Sequence, residues 1–144
     1  MVIDASVWVA AFLARDAHHR DVVEFLRTLL EEGLSVTTPL LALCEVAGAI
    51  ARRTDDPELA ERTLVFLQAQ SWIQFAPLNE PLATKAANLA THQRLRGADA
   101  VYVALATQQD GVLITLDREM LERTPAAVNA QLPSGWLNRD GDSD

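Results

Sequence analysis

Short apolar runs alternate along this chain with longer stretches whose apolar residues recur at helical spacing. The run from Met1 to Asp4 is apolar, ends in an acid, and predicts a first strand. Ser6 to Leu13 is apolar and helix-compatible. From His18 to Glu32, residues Val22, Val23, Phe25, Leu26, Leu29 and Leu30 form a helical stripe, which Gly33 ends. Leu34 to Thr37 predicts a second strand. Pro39 suits a first helical turn and opens a helix to about Arg53, and Asp56 with Pro57 opens another to about Gln70. Trp72 to Ala76 predicts a third strand. An alanine-rich helix follows, from Asn79 or Glu80 to about Leu95, and Gly97 breaks it. Ala98 to Gln109 predicts another helix, with Gly111 as its stop. Val112 to Leu116 is the clearest strand, Arg118 to Glu122 a helical turn, and Ala127 to Gln131 a fifth, edge strand. From Ser134 the chain reads as a frayed tail.

Strands separated by helices imply an α/β domain whose parallel sheet is covered on both faces. No repeat and no interdomain linker interrupts the pattern, so one domain over residues 1–133 and a flexible acidic tail over 134–144 are expected. In such sheets ligands collect beyond the carboxyl ends of the strands, which is where chemistry is to be sought.

Composition narrows the class. The 144 residues fit one domain, and 49% of them are hydrophobic, enough for a core. No apolar run reaches the roughly 18–20 residues of a membrane span, and no basic-then-apolar leader opens the chain. The single cysteine, Cys44, has no internal disulfide partner, so a cytoplasmic protein is expected. Cys44 lies in an apolar helix, with no histidine placed to activate it, and is expected to be a buried, inert thiol.

The formal net charge of −8 argues against a nonspecific nucleic-acid coat protein. It does not exclude a nuclease. The stretch from Arg139 to Asp144 carries −2, and the four carboxylates of Asp4, Glu45, Asp99 and Asp117 carry −4, leaving only −2 for the remainder. Eleven of the twelve basic residues are arginine, the better fork for phosphate.

Those four acids are the candidate chemistry. Asp4 and Asp117 end the first and fourth strands, Asp99 begins the helix leading into the fourth, and Glu45 sits inside an otherwise apolar helix. Singly, Asp4 and Asp117 could be helix caps, and Asp99 a cap or a first-turn acid favoured by the helix dipole. Glu45 is harder to explain so simply. Leu41, Ala42, Gly48 and Ala49 surround it on its face, and Arg52 and Arg53 lie beyond the three-or-four spacing of a helical ion pair. Its partner must come from elsewhere in the fold, either a shared metal or a distant arginine. Clustered carboxylates repel and raise one another's pKa unless a cation neutralises them, and all-oxygen donors suit Mg²⁺ or Mn²⁺. Such ions orient a water and stabilise charge on a phosphodiester.

On these residues the chain resembles the PIN-domain family. The opening Val2 to Ser6 (VIDAS), Glu45 in its helix after strand two, the run Arg94 to Ala106 (RLRGADAVYVALA), and Leu113 to Asp117 (LITLD) are similar to the family's motifs in order and spacing, over nearly the whole chain. The compact length and immediate first strand look most like the VapC-type toxins of bacterial toxin–antitoxin pairs. The resemblance implies a three-layer α/β/α domain with a central parallel sheet of four to five strands. It also implies a magnesium-dependent endoribonuclease that leaves a 5′ phosphate and a 3′ hydroxyl. Asp4, Asp99 and Asp117 would hold the metal, Glu45 would complete the cluster and help place the attacking water, and Ser6 and Thr115 would support the carboxylates. Implied partners are RNA, a cognate antitoxin whose flexible segment crosses the active-site groove, and a second copy in a homodimer, with no membrane.

Other residues divide between ordinary and functional roles. His18, His19 and His92 lack metal-binding partners and read as surface residues. Trp8, Trp72 and Trp136 read as packing residues, although Trp8 near the active end could stack on a base. The pairs Arg52 with Arg53 and Arg94 with Arg96 fit either charged helix ends or a phosphate-contacting rim, and Arg118 is a further candidate at the substrate. Two other functions share the acids. A phospho-accepting signalling module would want a lysine after the last strand, and the only lysine, Lys85, lies on an earlier helix. A noncatalytic PIN-like interaction module would be expected to have lost acids, and all four are present. The same nuclease could also serve RNA processing without a toxin role.

Overall fold

A computed structural model describes residues 1–140 of the chain. Five strands form one all-parallel sheet: β1 (Val2–Ile3), β2 (Val36–Pro39), β3 (Ile73–Ala76), β4 (Leu113–Ile114) and β5 (Ala130–Gln131), in the order β3-β2-β1-β4-β5. The helices flanking it are α1 (Ala5–Phe12), α2 (His19–Glu31), α3 (Leu41–Thr54), α4 (Pro57–Gln68), α5 (Glu80–Gln93), α6 (Gly97–Gln108), α7 (Arg118–Arg123) and α8 (Pro133–Leu137). The chain steps outward from β1 to β2 and β3, then returns to place β4 on the other side of β1. The order of strands therefore reverses between β1 and β4, and a crevice opens beyond their carboxyl ends.

Register makes that crevice specific. Val2 pairs with Leu113 and Ile3 with Ile114, and the Asp4 amide donates to the Ile114 carbonyl at 3.0 Å. Asp4 and Thr115 consequently leave the sheet side by side. Val2, Ile3, Leu113 and Ile114 are all fully buried, as expected of central strands covered on both faces. The core continues through Val7, Trp8, Phe25, Leu29, Ile50, Tyr102 and Val103. Trp8 is 2% exposed with its ring 5.9 Å from that of Trp72, so it is a packing residue and presents no face to a base.

Strands β4 and β5 are shorter than the runs 112–116 and 127–131 that predict them, and three further boundaries differ from the sequence reading. Pro39 ends β2 instead of opening a helix, and α3 begins at Leu41. Successive amides of β2 point alternately to its two neighbours, Val36 to Trp72 and Thr37 to Met1. Pro39 therefore faces β1 with no N–H to give, and Thr38 Oγ1 donates to the Ile3 carbonyl at 2.8 Å. Gly97 is the first residue of α6, and the preceding helix is stopped instead by Arg94 in the left-handed region, φ 56°. Gly33, by contrast, ends α2 as expected, at φ 66°.

The third correction concerns the tail expected from Ser134. Pro133–Leu137 is helical, followed by a 3₁₀ turn at Asn138–Asp140. Trp136 is 5% exposed, meets Phe25 edge-to-face at 5.2 Å, and carries the Arg139 guanidinium 3.4 Å above its ring. Arg139 also forks onto both carboxylate oxygens of Glu32 at 2.7 Å, fastening the segment to the end of α2. The remainder of the acidic tail, 141–144, lies outside the described residues.

Candidate active site

One cavity of about 670 Å³ opens at the crevice, and Asp4, Glu45, Asp99 and Asp117 all line it. Ser6, Asp16, His18, Cys44, Arg52, Arg53 and Arg96 complete its polar wall. Cys44 is exposed here, a correction to the buried thiol expected from its apolar neighbours. Lys85 lines a separate cavity with Glu80 and Asn88, so the acids have no lysine beside them. That placement removes the basis for a phospho-accepting module.

Asp4 does not cap α1; its side chain makes no capping bond. It is 5% exposed, and its Oδ2 accepts from Ser6 Oγ at 2.5 Å and Thr115 Oγ1 at 2.8 Å. Each hydroxyl is oriented by a backbone amide behind it. Leu116 N–H donates to Ser6 Oγ at 3.1 Å and Asp117 N–H to Thr115 Oγ1 at 3.0 Å. A hydroxyl whose oxygen accepts one bond is left to give its proton to the carboxylate. Burial raises the Asp4 pKa, opposed by the two hydroxyls and reinforced by the charge of Asp99.

Glu45 finds a tyrosine, not a distant arginine. Tyr102 Oη donates to Glu45 Oε2 at 2.5 Å across 57 residues of sequence. Burial, then the charges of Asp4 and Asp99, raise the Glu45 pKa against that hydrogen bond. Burial likewise pushes up the phenol of Tyr102, and the facing carboxylates add to it, so it stays a donor.

Arg96 joins the last two acids. Its Nε stands 2.6 Å from Asp99 Oδ2, and its Nη2 bonds Asp117 Oδ2. Asp99 is 7% exposed, and its burial raises the pKa while Arg96 opposes that rise. Asp117 does cap α7, through Oδ1 to the Met120 amide at 3.0 Å, while its Oδ2 is turned to Arg96. Burial works against its ionisation, but the Met120 amide and Arg96 together hold it below the usual carboxylate range. Arg96, which the sequence leaves between a charged helix end and a phosphate-contacting rim, lies among the acids. Arg94 and Arg118 are exposed and do not line the cavity, and the Arg94 carbonyl accepts from Arg123 Nη1.

Among the described residues, no three His, Cys, Asp or Glu side chains are arranged to hold a metal ion as they stand. The hydrogen bonds say why: Asp4 is turned to two hydroxyls, Glu45 to Tyr102, and Asp99 and Asp117 to Arg96. The donor set nevertheless fits a hard divalent cation. All four donors are carboxylates; burial first, and the neighbouring carboxylates after it, raise the pKa of Asp4, Glu45 and Asp99, and a cation among them would offset both.

Asp16 and His18, which line the cavity, and Tyr102, buried behind it on Glu45, were not foreseen. Tyr102 had one available signal: it lies three residues after Asp99, on the same face of α6. Asp16 and His18 lie in the link between α1 and α2, where periodicity carries no directional information.

Residues 1–126 match the model of the PIN domain, and the chain belongs to that family. The fold is shared with solved structures of low sequence identity. VapC20 of Mycobacterium tuberculosis, described as a toxin that cleaves the sarcin–ricin loop, superposes with a TM-score of 0.74 at 18% identity, covering 89% of this chain and 98% of that one. FitAcB of Neisseria gonorrhoeae gives 0.70 at 18% identity, covering 92% and 96%. A toxin–antitoxin complex from Klebsiella pneumoniae gives 0.69 at 18% identity, with the same coverage. No curated protein is similar enough in sequence to match the chain.

Proposed function

We propose that this PIN-domain protein is a divalent-metal-dependent endoribonuclease and the toxin of a toxin–antitoxin pair. The observation that carries the reading is the gathering of Asp4, Glu45, Asp99 and Asp117 in one cavity at the point where strand order reverses. Asp4, Asp99 and Asp117 would hold Mg²⁺ or Mn²⁺, with Glu45 completing the set. When bound, the ion supplies stabilisation of charge on the phosphodiester and a lowered pKa for the attacking water.

The chain's own residues do the positioning. Ser6 and Thr115 fix the rotamer of Asp4, and Tyr102 fixes Glu45. Glu45, with its pKa raised by burial, is suited to take the proton of the attacking water. Arg96 neutralises Asp99 and Asp117 in the metal-free protein, a role that a bound ion would take over. The water oxygen would bond to phosphorus as its proton passes to Glu45, the bond to the 3′ oxygen would break, and that oxygen would take a proton from solvent.

A cytoplasmic location agrees with the lack, among the described residues, of any helix long and apolar enough to cross a membrane. An antitoxin partner is part of the same proposal, supported by the likeness to a toxin–antitoxin complex, and a homodimer is proposed with it on the family resemblance alone. The test is the chemistry of the product ends. Water as nucleophile yields 5′ phosphate and 3′ hydroxyl; a 2′,3′-cyclic phosphate contradicts it. Growth arrest on expression, relieved by Asp99→Asn, tests the toxin role, and harmless overproduction of active enzyme assigns the same site to RNA processing.

A further inference from the structure

We propose that Arg52 forms a separate binding site for a backbone phosphate of single-stranded RNA, one that flanks the phosphate being cut. The inference rests on the nuclease reading and extends it along α3. Glu45, Ala49, Arg52 and Arg53 line the cavity at i, i+4, i+7 and i+8, which places them on one face of that helix. Arg52 is two turns beyond Glu45, about 10 Å along the axis at 1.5 Å per residue. One continuous groove therefore runs from an acidic end to a basic end.

Three arginines line the groove, and two are held by carboxylates. Arg96 is bound to Asp99 and Asp117, and Arg53 meets Asp16 Oδ2 at 2.8 Å. Among the described residues, Arg52 has no carboxylate within 4.0 Å and no hydrogen-bond partner. A cation in the last turn of a helix is favoured by the dipole, which accounts for a pair of arginines there. It does not account for how Arg52 lies. Its guanidinium folds back over Gly48, with Nη1 3.0 Å from the point where a Cβ on residue 48 would stand. A side chain at position 48 would require the guanidinium to give way by a few tenths of an ångström. Glycine inside a helix carries an entropic cost relative to alanine, and here the space it leaves is filled by the guanidinium. The result is an unpaired, forked donor laid along the groove, the geometry that suits a phosphate.

The probe is a fluorescent single-stranded RNA twelve nucleotides long, titrated at several salt concentrations against the full chain carrying Asp99→Asn to prevent cleavage. Arg52→Ala is expected to weaken binding about fivefold and to flatten the dependence of log Kd on log salt by about 0.7, the single-strand value for one phosphate contact. Arg52→Lys keeps the charge and the slope. Gly48→Ala, which keeps the arginine at residue 52 but shifts its guanidinium, is expected to weaken binding about twofold to threefold. Arg62→Ala, on the exposed face of α4 outside the groove, is expected to change neither quantity and serves as the surface-charge control. An Arg52→Ala slope equal to the parent's, with parent binding intact, overturns this site and leaves the nuclease reading standing. A parent protein that binds no RNA overturns both. Circular dichroism of each variant separates lost binding from lost folding, and the lysine and alanine exchanges report even if one variant fails to fold.

Discussion

Arg96 stands 2.6 Å from the carboxylate of Asp99 and spans from there to Asp117. A single flexible cation thus neutralises two acids that arrive from different elements, α6 and the end of β4. Replacing it separates two effects. Arg96→Ala removes the internal competitor for the site, so Mn²⁺ affinity measured by calorimetry should rise about tenfold, because the acids keep their charge and lose their counter-ion. In EDTA the same variant should lose about 1 kcal/mol of stability; the arginine is solvent-screened, but Asp99 is buried and left uncompensated. Unchanged metal affinity would show that Arg96 does not share the ion's place.

Tyr102→Phe removes the hydroxyl that bonds Glu45 while keeping the ring in the core. It should cost about 1 kcal/mol in denaturant unfolding. The kinetic signature should be a fall in kcat of about tenfold with KM little changed, since the phenol orients Glu45 and lies buried away from substrate. An equal change in KM would place the loss in substrate binding instead.

The pH dependence of the metal-free protein has a definite sign. Burial raises Asp4 and Asp99 above 3.8, and Glu45 above 4.5, so the folded state binds more protons than the unfolded one. Their contribution to stability is fully present below those ordinary values and is lost as pH rises through the folded pKa values. Asp16 and Asp117 are shifted the other way, and their stabilisation is lost as pH falls through their folded pKa values, below 3.8. Thermal melts in EDTA should therefore show Tm rising from neutral pH towards 4.5 and falling again below 3.8. Asp4→Asn should flatten the rise. A Tm that falls steadily from neutral pH would show that burial does not govern these acids.

The fold was readable in the sequence wherever periodicity was unopposed. The Val22-to-Leu30 stripe, the apolar run at 112–116 and the acid after each central strand are what the structure contains. Pro39 was misread because proline is compatible with both a helix start and a strand whose neighbour has ended, and only the register with β1 decides. The end of the domain was misread because Trp136 and Arg139 are too few to make a periodic pattern; their partners, Phe25 and Glu32, are more than a hundred residues away. The candidate site was half readable. Residue type located the four acids, and Glu45 was conspicuous because no near neighbour could neutralise it. The side chains that each acid turns to, Tyr102 above all, depend on which helix faces meet across the cavity.

Trp136 gives that correction a quantity. Trp136→Ala should destabilise the protein by about 3 kcal/mol in denaturant titrations, since it vacates a buried ring against Phe25 and the guanidinium of Arg139. Ending the chain at residue 133 should cost at least as much. A truncated protein as stable as the full chain would restore the reading of this segment as a tail.

The central claim is that Asp4, Glu45, Asp99 and Asp117 act together as one metal-dependent site for cutting RNA. The direct measurement is cleavage of labelled RNA by purified protein in Mg²⁺, in EDTA, and with Asp99→Asn. The account predicts cleavage in Mg²⁺, none above background in EDTA, recovery when Mg²⁺ or Mn²⁺ is restored, and a loss of at least a hundredfold for Asp99→Asn, on the order expected when a group acting at the reacting centre is removed. Cleavage that persists undiminished through both EDTA and the substitution would contradict it.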